Sequence, residues 1–263
     1  MFDLLKIERQ GRTARLTLNR PESRNALAPE LISALIQAIR DADADPQVKC
    51  ILIQGEGEHF SAGGDVKGFA ELMSTPQEQR RDLFERKVLT GNRLPKSVIE
   101  ARKPVVVAAR GAVAGAGVGL CLAADYVLCG ESAYFMVAHV HVGLAVDCGV
   151  SAMLVGAVGI KQAMRLALLG ERVDAREALR LGMVTEVMPD AELSSATETL
   201  LTRLSAGPSI AMAETKALLN EAAYADLERQ LAHEARAVGL CAGTNDFAAG
   251  LQAVTTKKRA QFE

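Results

Sequence analysis

The run Val105-Val106-Val107-Ala108-Ala109 is apolar at every position. A strand without polar alternation is one buried on both faces, the pattern of a mostly parallel sheet covered on each side. Tyr126 to Cys129 has the same character and reads as its neighbour. Upstream, Ala14-Arg15-Leu16-Thr17-Leu18-Asn19 alternates and Val48 to Gln54 is β-branched up to a glycine, so both predict strands. Between them Pro29 opens a helix with Leu31, Leu35, Ile36 and Ile39 on one face. The fold class is therefore α/β over the first half. Pro76 to Glu100, rich in charge, predicts a surface helix.

Beyond Gly149 the pattern turns helical: Lys161 to Leu169, Ala175 to Leu181 behind an Asp174 cap, Leu193 to Leu204, Ile210 to Leu219, Leu227 to Leu240 and Phe247 to Lys258. Only Val184 to Val187 returns to strand. The expected organisation is a sheet-bearing core over residues 1–190 and a helical carboxy-terminal region over residues 191–263. With 49% apolar and 24% charged residues in a chain of 263, a disordered or fibrous chain is excluded. Thirty basic against 32 acidic residues give a net charge of −2, which leaves no excess to neutralise phosphates, so nucleic acid is not an expected partner. The five cysteines lack CxxC spacing and predict neither disulfides nor a zinc ribbon. The start MFDLLKIERQGR lacks the features of a signal peptide, and the longest apolar stretch, Lys103 to Gly130, is broken by Arg110, Asp125 and glycines. The expectation is a cytoplasmic chain with no membrane partner.

Three segments concentrate chemistry: Gly55 to Asp65, Gly111 to Gly119 and Phe135 to Gly149. The first two follow buried strands and place glycines where the chain enters a helix, so that backbone N–H groups point outward. Such turns either pack tightly or hold an oxyanion, and spacing alone leaves both readings open. Gly111 to Gly119 lacks the Lys-Ser/Thr of a P-loop and the acidic residue that closes a dinucleotide unit, so ATP and NAD do not fit. In the third segment His139 and His141 alternate on what reads as extended chain, facing one side together. Two such ligands without a third make no metal site. Asp147 is either a helix cap or a catalytic acid, and Cys148 a small buried filler.

Pro21-Glu22-Ser23-Arg24-Asn25-Ala26-Leu27, Phe60 to Asp65, Lys103-Pro104-Val105, Gly111 to Gly117, Asp125 and Lys257 to Phe262 together resemble the crotonase superfamily of enoyl-CoA hydratases and isomerases, in order and spacing over nearly the whole chain. The resemblance implies a spiral of ββα units with a helical trimerisation region, a homotrimer or dimer of trimers, and a coenzyme A thioester as substrate with no further cofactor. It places the oxyanion hole on the backbone N–H groups of Gly64 and Ala116. It places coenzyme A near Arg24, Ala62 and Asp65, with Lys257 and Phe262 reaching it from the carboxy-terminal edge.

The two glutamates by which the family's hydratases handle water correspond to Gly119 and His139 here. Asp147 sits where isomerases of the superfamily, such as dienoyl-CoA and 1,2-epoxyphenylacetyl-CoA isomerases, resemble one another in carrying an aspartate. The further acidic residues that dienoyl-CoA isomerases have at the places of Gly119 and His139 are absent here, so the resemblance is to a one-carboxylate isomerase. The resemblance thus implies a double-bond isomerase with Asp147 as shuttle base and His139 as its partner. A hydratase or other lyase using His139 with Asp147, and a non-catalytic CoA-binding scaffold, are the alternatives. Asn92 stands where the dehalogenase branch has a histidine. Phe69, Leu72, Met73, Leu83, Phe84 and Lys87 are the expected walls of the acyl pocket, whose preferred acyl group the sequence leaves open.

Overall fold

The computed structural model describes residues 4–256 and 258–262. In chain order the elements are β1 (Leu5–Gln10), β2 (Thr13–Leu18), α1 (Pro29–Ala44), β3 (Cys50–Gly55), α2 (Val66–Ala70), α3 (Gln77–Gly91), α4 (Arg93–Glu100), β4 (Val105–Ala109), β5 (Ala112–Ala114), α5 (Ala116–Ala123), β6 (Tyr126–Gly130) and β7 (Tyr134–Met136). They continue with α6 (Val150–Leu169), β8 (Arg172–Asp174), α7 (Ala175–Leu181), β9 (Glu186–Met188), α8 (Leu193–Ala206), α9 (Ser209–Ala223), α10 (Leu227–Ala242) and α11 (Asn245–Thr255).

The main sheet has the order β1-β2-β3-β4-β6-β9 and is parallel except for the β1–β2 hairpin. A second sheet, β5-β7-β8, stands beside it. The chain therefore coils: β4 and β5 place one strand in each sheet before α5, and β6 and β7 repeat the step before α6. The turn after β3 follows the same path with single bridges, Ser61 to Val113 and Leu27 to Gly64. This coil brings the glycine turns together.

The apolar run in β4 is buried on both faces, as its sequence requires. Val105 and Val107 join Ile51 and Ile53 of β3 in the core under α1, α4 and α5. Val106 faces the other way with Cys50, Leu52 and Leu128, beneath Leu193, Leu201 and Leu204 of α8. Each such side chain removed from water contributes about 1.5–3 kcal/mol.

Three local expectations change. Pro76 to Glu100 forms two helices, because Pro95 in the first turn of α4 has no N–H for the carbonyl four residues earlier. Helix α3 is the expected surface helix, with a charged exposed face, and it packs its other face inward through Arg80, Phe84 and Val88. Phe84 lies edge-on to Phe69 at 5.1 Å and to Phe247 at 4.9 Å, and α10 lies along α3. Helix α6 begins at Val150, with a break at Gly159. Ala138–Val142 is a 3-10 helix, not an extended strand. At three residues per turn His139 and His141 diverge: His139 faces Asp147, while His141 Nε2 lies 2.9 Å from the Gly170 carbonyl oxygen.

Candidate active site

The motif Pro21 to Leu27 acts as a buckle for the turn that follows β3. Asn25 is fully buried, and its side-chain amide donates to the carbonyls of Glu56 (3.0 Å) and His59 (2.7 Å) while its Oδ1 accepts from the Arg20 N–H (2.8 Å). Ser61 Oγ donates to the Asn25 carbonyl (2.9 Å) and accepts from the Gly63 N–H (3.1 Å). The Leu27 N–H then binds the Gly63 carbonyl (2.8 Å). Buried polar groups so fully paired fix a backbone geometry.

That turn lies against the second glycine turn. Gly63 has φ +89°, and a Cβ there would lie 2.5 Å from the Ala114 carbonyl oxygen and 3.2 Å from the Ala116 nitrogen. Only glycine tolerates both constraints. Ala116 opens α5, so its N–H has no acceptor within the helix. Gly64 and Ala116 both line a cavity of about 740 Å³, together with Asp147. The three positions expected from sequence to act together are brought together.

Asp147 does not cap α6: its main-chain carbonyl accepts from Val150, but the N-cap of α6 is Gly149, with no side-chain cap. Its carboxylate Oδ1 lies 3.0 Å from His139 Nε2. His139 is 7% exposed and Asp147 22%, so the carboxylate reaches the cavity and the imidazole backs it. His139 Nδ1 is buried without a hydrogen-bond partner among the described residues. The ring therefore donates Nε2–H to Asp147, since a second proton on Nδ1 would be buried without an acceptor.

Gly119 is more than a missing carboxylate. A Cβ there would lie 2.3 Å from the Cys148 carbonyl oxygen and 2.9 Å from its Cβ, so the loop carrying Asp147 fills the space that a side chain at 119 would occupy. Burial pushes the Cys148 thiol well up, with the charges of Asp147 and Glu234 adding, so it is no thiolate nucleophile.

Of the expected pocket walls, Phe69, Leu72, Leu83, Phe84 and Lys87 line the cavity. Met73 packs against the buried cluster of Phe84 and Phe247 without lining the cavity. Asp65 also lines the cavity, paired with Arg20 at 3.1 Å and capping α2. Ala62 donates its N–H to the Arg24 carbonyl (2.8 Å), and Arg24 itself is exposed. Phe262 is exposed away from the cavity, and Lys257 lies outside the described residues.

Two side chains hold the Asp147 loop in a way sequence reasoning did not find. Glu234 on α10 accepts the N–H groups of Gly149 and Ser151, each at 2.9 Å, and the Ser151 hydroxyl at 2.6 Å. Burial raises its pKa, opposed by those hydrogen bonds and reinforced by the charge on Asp147. Asn92 Oδ1 accepts the Cys148 N–H at 2.9 Å. A signal for Glu234 exists, because it interrupts the apolar stripe Leu227, Leu231, Ala235, Val238. Among the described residues, no three His, Cys, Asp or Glu side chains are grouped to hold a metal ion.

A family model described as "Enoyl-CoA hydratase/isomerase" matches residues 8–263. The trans-2-decenoyl-[acyl-carrier-protein] isomerase of Streptococcus mutans is 33% identical over 249 residues, 95% of this chain and 94% of that protein. The 1,2-epoxyphenylacetyl-CoA isomerase of Escherichia coli is 32% identical over 247 residues, covering 94% and 93%. A crystal structure of an enoyl-CoA hydratase from Mycobacterium avium subsp. paratuberculosis superposes with a TM-score of 0.90 at 33% identity, over 99% of both chains.

Proposed function

We propose that this chain, which belongs to the enoyl-CoA hydratase/isomerase family, shifts a carbon–carbon double bond within an acyl-CoA thioester, using Asp147 as its one shuttle base. The carboxylate removes a proton from the carbon beside the thioester carbonyl. The electron pair moves onto the carbonyl oxygen, which the N–H groups of Gly64 and Ala116 receive, and the same proton returns two carbons further along as the carbonyl re-forms. Each preorganised donor of this kind lowers the barrier by about 2.7–4 kcal/mol, and positioned acid–base transfer adds about 10²–10⁴-fold. His139 orients Asp147 through Nε2–H and holds no proton for substrate. The reaction needs no cofactor beyond the coenzyme A moiety.

The observation that carries this reading is the sealed space at Gly119: water activation by two carboxylates has room for only one. Coenzyme A is placed along Arg24, Ala62 and Asp65, with Lys257 and Phe262 of a neighbouring copy at its edge. The assembly proposed is a homotrimer or dimer of trimers, in the cytoplasm. Helix α6 is long and apolar enough to cross a membrane, but Lys161 and Arg165 and the break at Gly159 suit an interface between copies better.

The test is turnover of a panel of unsaturated CoA esters by the wild type and Asp147→Asn, with acyl-carrier-protein esters included because one relative is named for that carrier. Isomerisation should fall by about 10²-fold or more in the variant. Undiminished isomerisation refutes the assignment, and solvent oxygen in the product means hydration through His139 and Asp147. Absence of turnover and of deuterium exchange with every ester leaves the scaffold reading.

A further inference from the structure

The loop that carries Asp147 is fixed by two side chains on the helices that wall the cavity, Asn92, which lines it, and Glu234 behind it. Cys148 and Gly149 both have left-handed φ, +54° and +74°, which turns the chain sharply between Asp147 and α6. The N–H of Cys148 is taken by Asn92 at the end of α3, and those of Gly149 and Ser151 by Glu234 on α10. Asn92 Nδ2 also donates to the Leu231 carbonyl of α10 at 2.9 Å, and Gln230 Nε2 to Ser151 Oγ at 2.8 Å. Asn92 and Glu234 are each 3% exposed. Among the described residues, the side-chain hydrogen bonds of Glu234 run to the N-cap and first turn of α6, and those of the Asn92 side chain run to backbone. The same two helices wall the cavity through Leu83, Phe84, Val88 and Val238.

We infer that Asn92 and Glu234 are positioning residues that tie the Asp147 loop to the α3–α10 wall, so that the acyl group lying against that wall is read out in kcat. The inference rests on Asp147 being the base. An acyl chain that fills the wall holds both helices against the loop, and a short one leaves the loop less constrained. Misplacing a catalytic group by about 1 Å costs on the order of 10²-fold.

The experiment compares the wild type with Glu234→Gln, Glu234→Ala and Asn92→Ala, measuring kcat and KM separately for short and long unsaturated CoA esters. The ¹⁵N signal of the His139 ring without substrate reports the Nε2 contact to Asp147. In the wild type kcat should rise with acyl length. In Glu234→Ala kcat should fall by ~10-fold or more, with KM within ~3-fold, length dependence flattened and the His139 signal shifted. Glu234→Gln, which keeps acceptor oxygen, should recover part of kcat. A folded Glu234→Ala with wild-type kcat and an unmoved His139 signal overturns the inference, as does a change confined to KM. If an alanine variant does not fold, by circular dichroism, Glu234→Gln decides on the same readouts. Full turnover by Asp147→Asn defeats the base assignment instead, and the His139 signal still decides whether Glu234 sets the loop.

Discussion

Gly63 and Gly119 show how a single absent methyl group carries function. Gly63→Ala combines a positive φ with a Cβ 2.5 Å from the Ala114 carbonyl oxygen, so the turn must shift and carry Gly64 away from Ala116. Loss of one oxyanion donor costs about 2.7–4 kcal/mol of barrier, so kcat should drop by roughly 10²–10³-fold while circular dichroism stays native. Gly119→Glu restores the residue type that the family's hydratases carry, yet it meets the Cys148 main chain at 2.3 Å. It should lower the melting temperature and give no hydration, measured with a saturating enoyl-CoA; hydration gained at unchanged stability counts against a filled site. The glycines were readable as punctuation before helices. What each one avoids was not, because Ala114 and Cys148 approach them only through long-range contacts.

At the scale of elements, helices α9 and α10 are docked by buried charge. Lys216 of α9 lies 2.8 Å from Asp125 at the start of β6 and donates to the carbonyls of Val98 (3.0 Å) and Lys103 (3.3 Å). Burial raises the Asp125 pKa, opposed by Lys216 and the Val105 N–H. Lys216→Met removes one partner of a buried pair and should cost about 3 kcal/mol in denaturant unfolding, a loss that Asp125→Asn in the same chain partly restores. For Glu234 the sign is set by burial, which raises its folded-state pKa above the ordinary 4.5. Its contribution to stability is therefore full below pH 4.5 and declines as pH rises through the raised value. The difference in unfolding free energy between wild type and Glu234→Gln should shrink across that window, and a constant difference from pH 4 to 8 rules the effect out. Periodicity predicted α7, α8, α9 and α10 to within a few residues, since an apolar stripe is a local signal. It misplaced His139 and His141, since a 3-10 turn between sheet strands is imposed by the loop's surroundings.

For the whole molecule, the exposed apolar residues concentrate on the helical side of the chain: Ile160, Met164, Leu168 and Leu169 of α6, and Ile210, Leu218 and Leu219 of α9. Patches of this kind mark contact surfaces. Sedimentation should give a trimer or hexamer, and Leu168→Glu with Leu218→Glu should dissociate it; a monomeric wild type at micromolar concentration removes the trimer from consideration. By itself the sequence determined the sheet-and-helix class, the two glycine turns and the lone aspartate, because burial periodicity and turn chemistry are written in neighbouring residues. Only the tertiary structure decided that Asp147 leans on His139, that Cys148 fills the place beside Gly119, and that Asn92 and Glu234 hold the loop. Apart from the Asp147–His139 pair, 8 positions apart, those contacts join residues separated by tens of positions, up to 85 for Glu234 and Gly149, and no local rule specifies which distant side chain closes a buried hydrogen bond.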